Sequence, residues 1–179
     1  GRDNNFDCTS TLYYGNDDGT FAPANAELTG VCESSASIAD VDANGTMDLL
    51  IAGQAETGSG SGPSTTLYLQ NDDGTFAPAN ANLTGVHRGA SSIGDVDGDG
   101  DADLLITGFA GTEPTTPSTT LYLQNDDGTF AEALAGLTNV ASSATAIADV
   151  NGDGSTDLLA TGLASGTFSD PENDATLYL

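Results

Sequence analysis

Asp95-Val-Asp-Gly-Asp-Gly-Asp-Ala-Asp103 puts an acidic side chain at every second position of a nine-residue stretch, with Val96, Gly98, Gly100 and Ala102 between. The stretch occurs twice more, as Asp40-Val-Asp-Ala-Asn-Gly-Thr-Met-Asp48 and Asp149-Val-Asn-Gly-Asp-Gly-Ser-Thr-Asp157, at spacings of 55 and 54 residues. Oxygen side chains at positions 1, 3, 5 and 9 of a tight loop, with Gly at position 6, can wrap one hard cation. Ca²⁺ suits such a loop because it accepts about six to eight oxygens in a tolerant geometry. One such loop is a weak signal, and three in register are a strong one.

The repeat extends beyond the loops. Thr11-Leu-Tyr-Tyr-Gly-Asn-Asp-Asp-Gly-Thr-Phe21 returns as Thr66-Leu-Tyr-Leu-Gln-Asn-Asp-Asp-Gly-Thr-Phe76 and as Thr120-Leu-Tyr-Leu-Gln-Asn-Asp-Asp-Gly-Thr-Phe130, and a further copy starts at Thr176-Leu-Tyr-Leu179. Periods of this size mark stacked or radially arranged units, none of which buries its core alone. In the second repeat, Ala90–Val96 reads as a short, small-residue strand near a crowded axis. Ala102–Gly108 follows the loop as an apolar strand. Thr119–Gln124 alternates, with Leu121 and Leu123 on one face and Tyr122 on the other. Asn125-Asp-Asp-Gly128 is a hairpin turn in which Gly supplies a positive φ, and Thr129-Phe130 opens a fourth strand. The pairs Asp17/Asp18, Asp72/Asp73 and Asp126/Asp127 are therefore expected to form turns rather than bind metal.

Four antiparallel strands per repeat predict an all-β chain of β-propeller blades, about three per chain, with incomplete blades at both ends. The divisions are 1–30 (N-terminal segment plus outer half-blade), 31–85, 86–139 and 140–179 (partial blade), together one repeat domain. A β-solenoid is the alternative, but its repeats are shorter, and the nonapeptide period of calcium-binding β-helices is absent.

Twenty-seven acidic residues face two basic ones, Arg2 and Arg88, for a formal charge of −25. Nucleic acid and anionic membrane surfaces are therefore not expected as partners, since both need a Lys/Arg surface. Many carboxylates are concentrated in the three loops, which would repel themselves without cations. Apolar residues are 37% of the chain and Gly numbers 23, which fits short strands and tight turns. No apolar run is long enough to cross a membrane and no signal peptide is visible; Gly1 in place of an initiator Met suggests a processed or partial chain.

Cys32 stands where the other repeats have His87 and Ala141, and Cys8 lies in the non-repeating first residues. A Cys8–Cys32 disulfide tying down the N-terminus is expected, with two unpaired thiols as the alternative. A disulfide would place the chain in an oxidising, extracellular setting, where weak Ca²⁺ sites are filled. Asn82-Leu-Thr84 and Asn44-Gly-Thr46 are N-glycosylation sequons. Asn44 is also a loop position, so Asn82 is the better acceptor. Thr112–Thr120 is rich in Thr and Pro and reads as an O-glycan stretch or as a flexible connector.

The Asp-x-Asp-x-Asp-Gly-x-x-Asp loop, the Leu-Leu-Ile strand and the Asn-Asp-Asp-Gly-Thr-Phe-Ala-Pro hairpin resemble the FG-GAP/VCBS repeat, the family of the integrin α-subunit propeller. The resemblance covers nearly all of the chain from Thr9. It implies calcium ligands Asp40, Asp42, Asn44 and Asp48 in the first loop, Asp95, Asp97, Asp99 and Asp103 in the second, and Asp149, Asn151, Asp153 and Asp157 in the third. A backbone carbonyl at position 7 (Thr46, Asp101, Ser155) would complete each, for about three ions. Asn replaces one family Asp in loops one and three, so loop two is expected to be the strongest. An EF-hand and a dockerin loop are excluded by position 12, which is Ile51, Ile106 or Ala160.

The family's members are adhesion heads, lectins, surface proteins and non-catalytic modules, so the resemblance specifies the fold more closely than the task. Catalysis is not expected: His87 is the only His, no Ser has a nucleophile elbow, and the carboxylates recur as ligands do. A calcium-dependent carbohydrate- or protein-binding module is the alternative reading; Tyr14, Phe109 and Phe168, which do not repeat, would be its sugar platforms. The variable connectors Gln54–Ser64 and Phe109–Ser118 would carry partner specificity. The preferred expectation is an extracellular, calcium-stabilised structural or adhesive protein. Its open strand edges belong to a longer chain, to a ring shared between copies, or to a head-to-tail fibre.

Overall fold

The computed structural model describes residues 7–57, 60–111, 116–164 and 173–178. Every regular element among them is a β-strand, the pairings are antiparallel, and no sheet closes into a barrel. A two-stranded half-unit comes first, β1 (Tyr13–Gly15) with β2 (Phe21–Pro23). Unit 1 contains β3 (Val31–Ala39), β4 (Asp48–Thr57), β5 (Gly60–Gln70) and β6 (Phe76–Pro78), paired in that order. After β7 (Val86–His87), unit 2 pairs β8 (Ser91–Gly94), β9 (Asp103–Ala110), β10 (Thr116–Gln124) and β11 (Phe130–Ala133) in the same order. Unit 3 contains β12 (Ala141–Ala148), β13 (Asp157–Leu163) and β14 (Asn173–Tyr178). Units 1 and 2 join into one nine-stranded sheet because Val86 of β7 pairs both with Ser64 of β5 and with Ala110 of β9.

The run Leu104-Leu-Ile106 is apolar at successive positions because both faces of the sheet are covered. Leu104, Ile106 and Tyr122 pack with Leu50 and Leu67 of unit 1. Leu105 and Leu121, on the opposite face, pack with Leu158 of unit 3. The alternation expected for Leu121 and Tyr122 is therefore real, but it divides two apolar interfaces rather than core from solvent. Three of the four recurring Tyr residues add a polar tether: Tyr68, Tyr122 and Tyr178 donate to the hydroxyls of Thr29, Thr84 and Thr138 at 3.0, 3.0 and 3.1 Å.

The first strand of each unit is interrupted at the same place. Glu33, Arg88 and Ser142 have φ of 49°, 50° and 48°, and register shifts mark β3 and β12 there. These residues connect the units: Arg88 N–H donates to Glu33 O at 2.8 Å, and Ser142 N–H donates to Arg88 O at 2.6 Å. The Arg88 guanidinium and the His87 ring both pair with the Glu33 carboxylate. Opposite this bulge the second strand carries Gly. At Gly108, with φ of 148°, a Cβ would lie 2.8 Å from His87 O.

Gln54–Ser64 and Phe109–Ser118, expected as connectors, belong largely to strands. Gln54 pairs with Pro63 and Thr57 with Gly60, while Phe109 pairs with Pro117. A ladder needs only backbone partners, so small and polar residues continue it where the apolar pattern has ended. The variable tips reduce to a few residues, of which 58–59 and 112–115 lie outside the described residues. Cys8 and Cys32 are joined, with Cα atoms 5.0 Å apart, which fixes the N-terminal segment beside the bulge of unit 1.

Two expected outcomes follow from the bulge. Gly108→Ala meets both the positive φ and the His87 carbonyl and should lower stability by about 1–3 kcal/mol in urea unfolding. The Arg88 hydrogen bond holds the Glu33 carboxyl below its ordinary value of 4.5. A depressed carboxyl contributes stability above its unfolded pKa and loses it as pH falls through the folded one. The contact between units 1 and 2 should therefore weaken below about pH 4.5, and Glu33→Gln should remove that part of the acid dependence of the melting temperature.

Candidate metal centre

Each acidic loop connects the first strand of a unit to the second, and its carboxylates fold it. The position-1 carboxylate accepts the position-6 N–H in all three loops: Asp40 from Gly45 at 2.9 Å, Asp95 from Gly100 at 3.1 Å, Asp149 from Gly154 at 2.9 Å. These glycines have φ of 91°, 99° and 93°, so the turn needs the left-handed region there. Position 5 accepts the N–H of position 7: Asn44 from Thr46 at 2.7 Å, Asp99 from Asp101 at 2.9 Å, Asp153 from Ser155 at 2.8 Å. The Ser155 N–H and the Asn151 side chain hold the Asp153 carboxyl below the ordinary carboxylate value. Position 3 accepts from position 5: Asp42 from Asn44 N–H, Asp97 from Asp99 N–H, Asn151 from Asp153 N–H.

The result is a concentration of hard oxygens. Asp40, Asp42 and Asp48 each direct one carboxylate oxygen to a common region, all within 4.8 Å of one another, and so do Asp95, Asp97 and Asp99. This oxygen-only donor set fits a hard divalent cation and suits neither a soft metal nor a redox centre. In the third loop Asn151 removes one carboxylate, and Asp149, Asp153 and Asp157 do not form such a group among the described residues. The Asn44 side chain is engaged by Asp42 and Thr46 within its loop, whereas Asn82 is exposed on a residue with φ of 50°.

Position 9 has a second role that the spacing does not reveal. Asp48 Oδ2 accepts Val41 N–H at 2.8 Å, and its Oδ1 accepts Gln70 N–H at 2.8 Å. Asp103 repeats this with Val96 at 2.7 Å and Gln124 at 2.9 Å. Asp157 Oδ2 accepts Val150 N–H at 2.7 Å, but its Oδ1 is buried with no partner among the described residues. The first two carboxylates thus bind the loop to the third strand. Desolvation, with a smaller push from Asp97 and Asp99, holds the Asp103 carboxyl above its ordinary value. An anion kept in such a place needs a donor, a cation, or both.

The hairpin pairs behave as turn formers. Gly19, Gly74 and Gly128 N–H groups close the turns onto Asn16, Asn71 and Asn125. Asp18, Asp73 and Asp127 each accept the hydroxyl of Thr20, Thr75 or Thr129, which holds all three carboxyls below the ordinary range. His87 caps the bulge and stacks obliquely near Phe109, ring centroids 5.9 Å apart. Phe109 is 3% exposed, so it is a packing residue and not a sugar platform; its place beside the Gly108 bulge draws it inward. Tyr14 is exposed, and Phe168 lies outside the described residues.

Asp103→Ala would leave the Val96 and Gln124 N–H groups without their acceptor. It should cost about 2–5 kcal/mol in urea unfolding in the presence of chelator, where no metal contributes.

The family profile of FG-GAP-like repeats matches residues 40–106 and, overlapping, 95–160. Neither the curated proteins nor the solved structures contain a match to the chain. The two profile matches each run from one acidic loop into the strand that follows the next, and together they span more than half of the sequence. The chain belongs to the FG-GAP-like repeat family.

Proposed function

We propose that the chain is a calcium-stabilised extracellular structural or adhesive protein, its four-stranded units being β-propeller blades that join further blades or copies of itself. One observation carries the reading. Three loops at the same place in successive units fold around their own carboxylates, and the first two direct three carboxylate oxygens each to a common region. Family membership supports it, because FG-GAP repeats commonly bind calcium and occur in surface proteins. The Cys8–Cys32 disulfide and the acidic surface agree with an oxidising, calcium-rich exterior.

Each ion would draw on positions 1, 3, 5 and 9 and the position-7 carbonyl. It would lock the turn between first and second strands and neutralise part of the −25 charge. The role is architectural, with no substrate turned over. N-glycans at Asn82 are compatible with this placement; the polar surface needs no membrane insertion, and no helix is long and apolar enough to cross a bilayer among the described residues.

Calorimetric titration should show about three Ca²⁺ ions with dissociation constants on the order of 10⁻⁴–10⁻³ M, loop two the tightest. The melting temperature should rise in millimolar Ca²⁺. Asp97→Ala combined with Asp99→Ala should remove one ion and leave the others. A flat titration with an unmoved melting temperature would overturn the calcium reading.

A further inference from the structure

Asn-Gly occurs twice in the sequence, at Asn44-Gly45 and Asn151-Gly152, and both dipeptides lie inside acidic loops. At position 5 the loops hold Asn44, Asp99 and Asp153; at position 3 they hold Asp42, Asp97 and Asn151. Each Asn thus stands where the other two loops have Asp. Asn before Gly is the arrangement most prone to lose its side-chain amide, because no Cβ shields the nitrogen of the next residue and its backbone is free to turn. Gly45 and Gly152 have φ of 91° and 76°, and a Cβ on either would meet nothing within 4 Å. Both dipeptides are exposed, so water reaches them. The hairpin asparagines Asn16, Asn71 and Asn125 precede Asp, and Asn82 precedes Leu, so there a side chain stands beside the attacking nitrogen.

The two loops hold the reacting groups unequally. Asn44 Oδ1 accepts two donors, the Thr46 N–H at 2.7 Å and the Thr46 hydroxyl at 2.6 Å. The same hydroxyl lies 3.1 Å from Gln70 O, which seats Thr46 against the third strand. The turn so closed folds the Asn44 amide carbonyl back over the peptide bond to Gly45. The nitrogen of that bond is the nucleophile, and its N–H already rests on Asp40 Oδ2 at 2.9 Å. Asn151 has the same frame with less on its carbonyl. Gly152 N–H rests on Asp149 Oδ1 at 2.6 Å, and Asn151 Oδ1 accepts the Asp153 N–H at 2.8 Å, with no hydroxyl beside it among the described residues.

We propose that Asn44 is a latent aspartate, a modification site whose own loop promotes loss of the side-chain amide and directs the product to the normal main chain. Gly45 N bonds to Asn44 Cγ, and the Cγ–Nδ2 bond breaks. The amide departs as ammonia with the proton that Gly45 N gives up, leaving a cyclic imide. Water then opens the imide. Addition at Cγ gives aspartate on an unchanged main chain; addition at the main-chain carbonyl of residue 44 gives isoaspartate. Donors on the Asn44 oxygen strengthen as that oxygen takes up charge, both when the imide forms and when water adds at Cγ. The Thr46 pair therefore speeds the first step and favours aspartate in the second. The reaction stands on these residues alone. Only its consequence rests on the calcium reading: aspartate at position 44 gives loop one the position-5 carboxylate that loop two has in Asp99.

Ageing of the full chain in chelator at neutral pH, folded and in urea, tests the site. Peptide mapping follows positions 44 and 151 separately by the gain of one mass unit, and fragment spectra distinguish aspartate from isoaspartate. Their ratio is an internal control for temperature and denaturant. In the folded chain position 44 should convert about three- to tenfold faster than position 151, the worth of one added hydrogen bond, and chiefly to aspartate. In urea the two rates should draw level and isoaspartate should dominate. Thr46→Val should remove the folded-state advantage and raise the isoaspartate share, whereas Thr46→Ser, which keeps the hydroxyl, should preserve both. Equal rates in the folded chain, a ratio unchanged by urea, or a Thr46→Val chain that behaves as the native one would each overturn the proposal. The urea comparison needs no variant and decides even if Thr46→Val fails to fold. Titration with Ca²⁺ separates the two readings. Conversion that follows the expected pattern, with loop one no tighter for Ca²⁺ in Asn44→Asp, would support the latent aspartate and count against the calcium reading of that loop.

Discussion

A buried carboxylate at the last position of each acidic loop organises the whole unit. Asp48 and Asp103 are fully buried, and each accepts one N–H from its own loop and one from the third strand. A lone carboxylate in that place would be strongly disfavoured. With two charge-assisted hydrogen bonds it fixes three things together: where the loop starts, where the second strand begins, and how the third strand is registered against it. The Leu-Leu-Ile strand follows directly from this anchor, so the apolar side chains of both faces are delivered to the neighbouring units at a set height. Desolvation holds the Asp103 carboxyl above its ordinary value, because burial disfavours the anion. A cation among Asp95, Asp97 and Asp99 would offset that cost from the other side of the same loop.

Much of this arrangement is legible in the residues. The loop spacing, the hairpin glycines and the alternation at Leu121 and Tyr122 identify strands and turns because backbone conformation and face periodicity are local properties. The Asp18, Asp73 and Asp127 turns are local too, closed by a Thr two residues on. What escapes is non-local. The Glu33, Arg88 and Ser142 bulges differ in residue type, so nothing in the string aligns them as one backbone relay. Their trace is the Gly that recurs at 53, 108 and 162, required by close approach of the first strand and readable only once the strands are paired. Phe109 reads as a non-repeating exposed aromatic and is buried for the same reason. The second role of the position-9 Asp is hidden because ligand and anchor demand the same residue.

The polar inventory near the inner strands follows from crowding. First strands carry Ser, Ala, Thr and Gly, and their hydroxyls pair between neighbours, with Thr107 and Ser143 at 2.7 Å a further case. Small side chains let the strands approach, and hydroxyls satisfy one another where water is squeezed out. Bulkier apolar residues are displaced outward to the second and third strands, where the interfaces are wide enough for Leu, Ile and Tyr. Charge is displaced further, to the loops and hairpin turns at the ends of the strands. The gradient from small, through large apolar, to acidic is imposed by available volume and by solvent, in that order.

An array of this kind is stabilised by its neighbour contacts more than by any single unit. Unit 2 has a partner on both faces, and Leu104, Leu105 and Ile106 are almost wholly buried. The outer units are less fully covered: Leu12 and Leu28 of the half-unit cover part of unit 1's outer face, while Ile38, Met47, Val150 and Leu177 are exposed. Apolar burial scales with area removed from water, so the middle of the array holds most of the stabilisation and opening should begin at its ends. Polar contacts also tie unit 3 to unit 2: Thr156 to Asp95 O near the loops, the Arg88 relay and Gly108 N–H to Val140 O at the bulge, and the hydroxyl pairs Ser92–Thr145 and Thr107–Ser143 between them. A neighbour on either open face would therefore do more for the array than its own area implies, because it would convert the least stable units into interior ones.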